Sequence, residues 1–204
     1  MKKILITIFV ILIMILGVTG YYFKQNKLIN GKNENSIKKY LYNTLIPKTE
    51  DINIIDTVEI EDSKIVGFLN NKGLGVVAFD KDKKGNYTTG RDGIFETIDK
   101  KHVKVSAFSV RYGDSSKSSY VIISDGKDVG RVELVVNEKK SYSKKVKLSE
   151  PSMVIFTDNE LSKLSTSRDI KFKFFNSDGT LIEDYTLNYC NHSTGVIQIS
   201  MGDR

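Results

Sequence analysis

The hairpin that decides the fold reads DIKFKFFNSDGTLIEDYTL over residues 169–187. Ile170, Phe172 and Phe174 alternate with lysines, so the first strand has one apolar and one polar face. Asp178-Gly179 then turns the chain back, because this dipeptide favours a tight hairpin turn. The pattern predicts an antiparallel hairpin that buries one face.

The same kind of pattern continues along most of the chain after Pro47. Alternating or short apolar segments are bounded by turn sequences such as Asn70–Gly73, Asp82–Gly85 and Asn137-Glu138. Strands of this length and spacing, without long intervening helices, are typical of sandwiches and barrels. The sequence therefore predicts a mainly β protein with an antiparallel, sandwich-like domain. The predicted strands are 52–60, 64–69, 74–80, 103–110, 119–124, 129–136, 142–148, 152–157, 169–175 and 180–187, with a last candidate at 196–199.

One short amphipathic helix is predicted over residues 34–46, capped by Asn33 or Asn35 and ended by Pro47. Its apolar stripe could lie on lipid or on protein, and packing on the sheet that follows is the prediction, because the stripe is short. The stripe consists of Ile37, Tyr40, Leu41 and Leu45. Residues 158–164 predict one further helical turn.

The N-terminus carries an uncharged run, ILITIFVILIMILGVTGYYF, over residues 4–23. A helix of this length spans about 30 Å, the thickness of the hydrocarbon core of a bilayer. Its apolar side chains favour insertion by roughly 4–7 kcal/mol in total. The sequence predicts an N-terminal transmembrane helix, within a segment 1–23 that acts as a membrane anchor. The alternative is a signal peptide cleaved after Val18-Thr19-Gly20, with the domain secreted.

Charge near the predicted span gives two conflicting indications of orientation. Lys2 and Lys3 precede the span, which favours a cytoplasmic N-terminus, but more lysines follow it. Long domains cross membranes largely regardless of charge, and a short charged tail before a long apolar run is typical of an export signal. We therefore expect the C-terminal domain on the outer side of the cell membrane. The lysines that follow the span are Lys24, Lys27, Lys32, Lys38 and Lys39.

Composition excludes several classes of protein. Without Lys2 and Lys3, 29 basic and 25 acidic residues remain, a net charge of +4. That excess is too small and too dispersed for a nucleic-acid-binding domain, but it favours contact with anionic surfaces. The single cysteine, Cys190, excludes an internal disulfide and lies too far from the apolar run for a lipoprotein anchor.

The chain divides into four predicted parts: an anchor or signal peptide (1–23), a polar stalk (24–33), a helix with a β subdomain (34–100) and a sandwich-like domain (101–204). Residues from about 102 to 187 resemble an immunoglobulin-like sandwich in strand number and spacing, although they lack its Cys…Trp…Cys core. That resemblance concerns the fold alone. The layout as a whole resembles envelope proteins of Gram-positive bacteria.

Three motifs match catalytic or binding patterns but lack the context that those patterns require. Gly73–Ala78 fits a dinucleotide fingerprint, yet the residues after it predict a strand where a helix is needed. Asp80–Gly85 begins like a calcium loop but has lysine and arginine at ligand positions. Ser36–Lys39 and Ser141–Lys144 match S-x-x-K without its companion motifs. These segments predict, in order, a hairpin strand, a solvated turn and incidental matches.

The remaining candidates are two histidines, one cysteine and a basic stretch. Cys190 and His192 lie close in sequence and could ligate a metal or form a nucleophile–base pair. Two ligands do not make a zinc site, however, and a nucleophile–base pair needs a third, orienting group. His102 is the only other histidine in the sequence. The densest basic stretch lies within residues 139–147 and could contact anionic polymers or lipid; a lysine-guarded sheet edge is the simpler prediction. We therefore predict no catalytic residue, no cofactor and no metal site.

The sequence favours a non-enzymatic module at the cell envelope that binds another protein or an anionic wall polymer and does not bind nucleic acid. One alternative is an envelope enzyme acting on cell-wall or peptide substrates. The other is the extracytoplasmic part of a regulatory or self-protection protein. No pattern in the sequence chooses among the possible ligands.

Overall fold

The computed structural model describes residues 11–20, 31, 33–47, 51–87, 93–97, 105–112, 117–157, 169–188 and 196–199. Two helices and three four-stranded antiparallel sheets make up the described residues. The prediction of a mainly β, antiparallel protein is therefore confirmed.

The helices are α1, residues 11–20, and α2, Glu34–Thr44. Among the described residues, no helix has both the length and the apolar character needed to cross a bilayer. The predicted span, residues 4–23, extends at both ends beyond the residues that the structure describes.

Twelve strands follow the helices. Sheet 1 has the order β1-β2-β3-β4, sheet 2 the order β12-β5-β6-β9, and sheet 3 the order β11-β10-β7-β8. The strands are β1 (Asn53–Ile60), β2 (Ser63–Leu69), β3 (Gly73–Asp80), β4 (Gly93–Thr97), β5 (Val105–Tyr112), β6 (Lys117–Ser124), β7 (Arg131–Val136), β8 (Lys140–Lys145), β9 (Ser152–Phe156), β10 (Asp169–Phe175), β11 (Leu181–Asn188) and β12 (Val196–Ile199).

Helix α2 is stabilised by a capping box at its N-terminus and by the burial of its apolar stripe. The Asn33 side chain accepts the Ser36 amide at 2.9 Å, and the Ser36 hydroxyl accepts the Asn33 amide at 3.3 Å, which completes a capping box. Tyr40 packs edge-on against Phe79 of β3, with ring centroids 5.3 Å apart. The stripe thus lies on sheet 1, as the sequence predicted. Its buried members are Ile37, Tyr40 and Leu41.

Three hydrophobic cores order the described elements into layers: α2, sheet 1, sheet 2 and sheet 3. The first core joins α2 to one face of sheet 1, through residues such as Leu41 and Phe68. The second joins the other face of sheet 1 to sheet 2, where Phe108 and Ile123 lie. The third joins the opposite face of sheet 2 to sheet 3. Sheet 2 is therefore buried on both faces.

In the third core, the hairpin of residues 169–187 buries the apolar face of its first strand, β10. Ile170, Phe172 and Phe174 of β10 are each at most 2% exposed, so the predicted apolar face is the buried one. Phe172 meets Tyr120 of β6 edge-on, with centroids 5.5 Å apart. The contact between Phe172 and Tyr120, two large aromatic side chains, thus packs sheet 3 against sheet 2.

Gly126 fixes the connection between β6 and β7. Its φ of +86° favours glycine, and a Cβ at this position would overlap the backbone of Glu150. The Gly126 carbonyl accepts the Ser149 amide at 2.8 Å, and its amide donates to the Ser124 hydroxyl at 3.1 Å. Two loops therefore meet at a point where only glycine fits.

Replacing Gly126 by alanine should lower the free energy of unfolding by about 2–5 kcal/mol, the sum of left-handed strain and overpacking against backbone. Gly179→Ala is the matched control, because Gly179 also has a positive φ, +91°, but has nothing within 4 Å of its Cβ position. The control should lose only about 1–2 kcal/mol, the strain alone. Urea unfolding measures both, and equal losses would contradict the close approach to Glu150.

Candidate functional surfaces

The structure accounts for the sequence motifs that lie within its described residues. Gly73–Ala78 forms strand β3, so the segment is not a phosphate-binding turn. The Asp82 carboxylate accepts the backbone amides of Lys84 and Asn86, both at 2.8 Å. These bonds, first of all the one from Asn86, lower the pKa of Asp82. The predicted turn is thus stabilised by its own aspartate.

Neither S-x-x-K match brings its serine and lysine together as a catalytic pair. Ser36 is occupied in the cap of α2. Ser141 and Lys144 lie on opposite faces of β8, because three residues separate them along a strand. Ser141 donates to Glu133, while the Lys144 ammonium donates to the Ile155 carbonyl at 2.6 Å.

The other candidates fall in two places. His102, Cys190 and His192 lie outside the described residues. The basic stretch forms the β7–β8 hairpin, and β8 is an edge strand of sheet 3. Within the part of the chain that the structure describes, no group of three or more His, Cys, Asp and Glu side chains is arranged to hold a metal ion.

The first candidate surface, the entry cluster, lies where the chain joins sheet 1. It consists of Gly31, Glu59, Lys64, Lys81 and Tyr87. The Gly31 amide donates to the Tyr87 carbonyl at 3.0 Å, and the Gly31 carbonyl accepts the Lys64 ammonium at 3.3 Å. A Cβ on Gly31 would lie 2.6 Å from the Phe79 ring. Gly31 therefore fits tightly against sheet 1.

Charge and aromatic contacts complete the entry cluster. Lys64 is only 6% exposed, yet its ammonium lies 3.4 Å from the Glu59 carboxylate and 4.1 Å from the centroid of the Tyr87 ring. The Lys81 ammonium lies 5.4 Å from the same centroid. A buried lysine needs such partners, because an uncompensated buried charge is strongly destabilising. The cluster therefore ties Gly31 to both β1 and β2.

The Tyr87 hydroxyl is the unusual atom of the entry cluster. It is buried and approaches Glu59 without hydrogen-bonding geometry, so it has no hydrogen-bond partner among the described residues. Burial, reinforced by Glu59, raises the pKa of Tyr87 to about 12. The nearby hydroxyl and then Lys64 lower the pKa of Glu59. At neutral pH the cluster thus holds a neutral phenol beside an ionised carboxylate.

Tyr87→Phe should change the free energy of unfolding at neutral pH by less than about 1 kcal/mol, because the lost hydroxyl makes no hydrogen bond. The variant should lose less stability than the parent above pH 10. An unfolded tyrosine deprotonates near pH 10, whereas the folded one holds its proton to about 12, so the parent is destabilised as pH rises between these values. Urea unfolding up to that pH measures the difference.

Tyr142→Phe is the control for this prediction, because Tyr142 packs against the third core, away from the entry cluster. It should keep the alkaline loss that Tyr87 causes. An identical alkaline loss in the parent and in Tyr87→Phe would contradict the assignment.

The second candidate surface, the outer face, is the side of sheet 3 that points away from sheet 2. The Arg131 guanidinium lies 3.6 Å from the centroid of Phe175 and 3.5 Å from the Glu133 carboxylate. Lys171 pairs with Asp184 at 2.5 Å. Most of the face is half-buried, with Ser143 and Lys145 exposed, and it is aromatic at one position and more basic than acidic. Its residues are Arg131, Glu133, Ser143, Lys145, Lys171, Lys173, Phe175 and Asp184.

The sequence signals only part of these surfaces. Alternation in β10 predicted that Lys171 and Lys173 share a face, and the hairpin turn predicted β11 as a neighbour, but the partners on β7 come from long-range pairing. The entry cluster has no sequence signal, because its members lie on separate segments and Lys64 has the spacing of an ordinary exposed lysine. Its Gly31 contact spans 33 positions.

Comparison with known proteins gives no relative: no family model, no curated protein and no solved structure matches the chain.

Proposed function

We propose that the protein is a membrane-anchored module whose β domain lies outside the cytoplasm and binds a partner at the cell envelope without catalysing a reaction. Helix α1 carries this proposal. Every described residue of α1 is exposed, and its large apolar side chains are 47–63% exposed. Insertion into lipid would remove that apolar surface from water. These side chains are Ile11, Leu12, Ile13, Met14, Ile15, Leu16 and Val18.

The contacts of Gly31 with sheet 1, together with the short segment between Gly31 and α1, support a domain that is held close to the membrane. Gly31 is bonded through both its amide and its carbonyl to sheet 1 and fits closely against Phe79. Only ten residues, 21–30, separate it from the last described residue of α1. A chain of that length reaches at most about 36 Å, so the domain stays close to the membrane that holds α1.

The strand order of sheets 2 and 3 favours an immunoglobulin-like sandwich for the C-terminal half. In such sandwiches strands A, B and E share one sheet, while C, F and G share the other. Here β5, β6 and β9 are neighbours in sheet 2, and β7, β10 and β11 are neighbours in sheet 3. Strand β8 adds to the second group at the edge, and β12 adds to the first. This likeness supports a binding role only as an analogy of fold.

The outer face is the surface that we assign to partner binding. It combines the Arg131–Phe175 stack with the basic side chains of Lys145, Lys171 and Lys173. Arginine and aromatic side chains are enriched where proteins bind partners, and the basic excess favours an acidic protein or an anionic wall polymer. The proposal of a non-enzymatic module rests on this surface and on α1.

Extraction of membranes at alkaline pH tests the anchoring. An inserted helix keeps a protein in the membrane pellet, whereas proteins attached only by charge or by other proteins are released. We expect the full-length protein in the pellet after extraction in carbonate buffer and also after washing in high salt, because insertion depends on apolar area rather than on screened charge. Complete release by carbonate would refute the proposal.

A further inference from the structure

The turn of residues 81–87, the lysine turn, presents three exposed ammonium groups within four positions. Lys81, Lys83 and Lys84 are all exposed. Asp82 is the only acidic residue of the turn, and its carboxylate is occupied by two backbone amides of the turn itself. The conformation of the turn is thus fixed from within, and its net charge is positive.

The lysine turn lies beside the point where the chain enters the domain. Its last residue, Tyr87, accepts the Gly31 amide at 3.0 Å. Lys84 is three residues from Tyr87, a distance of at most about 11 Å along the chain. The ten residues between α1 and Gly31 reach at most about 36 Å. The tether therefore lets the turn reach the lipid that holds α1, a step that rests on the proposed anchoring.

We infer that the lysine turn docks on the anionic headgroups of the membrane that holds α1. Lysines close to an anionic bilayer are attracted to it, and each strengthens the contact by about fivefold. Screening removes the attraction beyond roughly 10 Å at moderate salt, so only basic residues held near the surface contribute. Docking at this turn leaves the outer face of sheet 3 free for a partner, since sheet 3 is the layer farthest from α2 in the layer order.

The β7–β8 hairpin provides a matched pair of lysines for the test. Lys139 and Lys140 are consecutive and exposed at a hairpin, as Lys83 and Lys84 are, but they belong to sheet 3. A difference in labelling rate between the two lysine pairs therefore reports their position relative to the membrane, because the pairs have the same side chains and are both exposed.

The experiment reconstitutes the full-length protein in vesicles of phosphatidylcholine and in vesicles that also contain phosphatidylglycerol. A water-soluble acylating reagent then labels lysine amines, and mass spectrometry gives the rate at each residue. Labelling of Lys83 and Lys84 should slow several-fold in the anionic vesicles and recover in high salt. Labelling of Lys139 and Lys140 should be the same in both kinds of vesicle.

Two double variants sharpen the result. In Lys83→Gln/Lys84→Gln, labelling of Lys81 in anionic vesicles should return to the rate seen in phosphatidylcholine. In Lys139→Gln/Lys140→Gln, labelling of Lys81 should stay slow. Protein that floats with the vesicles but labels equally fast at both lysine pairs would overturn the docking and leave the anchor standing. Protein that floats with neither kind of vesicle would overturn the anchor, and the docking with it.

Discussion

Replacing Leu12 and Leu16 by lysine should move the protein from the membrane fraction to the soluble fraction. Each lysine at the centre of an inserted helix costs about 2.5–3.5 kcal/mol, and each lost leucine removes a further few tenths. The total matches or exceeds the roughly 4–7 kcal/mol by which the apolar run favours insertion. Immunoblotting of fractionated cells measures the shift.

Leu148→Lys/Leu181→Lys controls for the added charge. These leucines are 40% and 48% exposed and belong to the folded domain, so the same two charges are added away from α1. The control should stay with membranes as the parent does. If both double variants stay there, α1 is not what holds the protein on the membrane.

Replacing Phe172 by alanine should lower the free energy of unfolding by about 3–5 kcal/mol, the largest effect on stability that we expect from a core truncation here. Phe172 is fully buried between sheets 2 and 3 and packs edge-on against Tyr120. The alanine would leave a cavity and remove the aromatic pair, which adds about 0.5–1.5 kcal/mol to area burial alone. Since single domains typically have 5–15 kcal/mol in total, much of the stability would be lost.

Phe175→Ala is the matched control on the same strand. Phe175 lies on the outer face, where its ring stacks with Arg131. Its loss should cost about 1 kcal/mol, the value of a partly exposed cation–π contact. Urea unfolding compares the two variants. Equal losses would mean that the alternation of β10 does not separate a core face from an open face.

The local pattern of the chain was sufficient to predict most strands. The hairpin of β10 and β11 follows from alternation on both sides of Asp178-Gly179, and its buried and open faces are those predicted. The helix followed from its cap and stripe. Such features depend on residues that are close in sequence, so the sequence alone is sufficient to identify them.

Local sequence patterns did not predict strand β4 or the layering of the three sheets. Gly93–Thr97 looks like a continuation of the turn-rich segment before it, yet it pairs with β3 at the edge of sheet 1. Strand β5 carries two serines, Ser106 and Ser109, three positions apart and therefore on opposite faces of the strand. Ser106 and Ser109 are nevertheless buried, because sheets 1 and 3 cover both faces of sheet 2. Long-range packing, which no single segment encodes, decides both cases.

The predicted division at residues 100 and 101 stays a prediction. Along the chain, β4 of sheet 1 is followed by β5 of sheet 2. The two parts also share a hydrophobic core, in which Ile65 and Val76 meet Phe108 and Val121. No local pattern predicts this shared core, because its members lie on strands far apart in the chain.

Protease shaving of intact cells tests the central claim, an anchored domain outside the cytoplasm, most directly. The full-length protein would carry a tag at its C-terminus, and the tag would be followed by immunoblotting in whole cells, in the medium and after cell opening. We expect full-length protein in membranes, with the tag lost when protease is added to intact cells. A tag that resists protease until the cells are opened would place the domain in the cytoplasm and contradict the account. A shortened form in the medium would mean cleavage near Gly20 and a secreted protein, which would contradict the anchor.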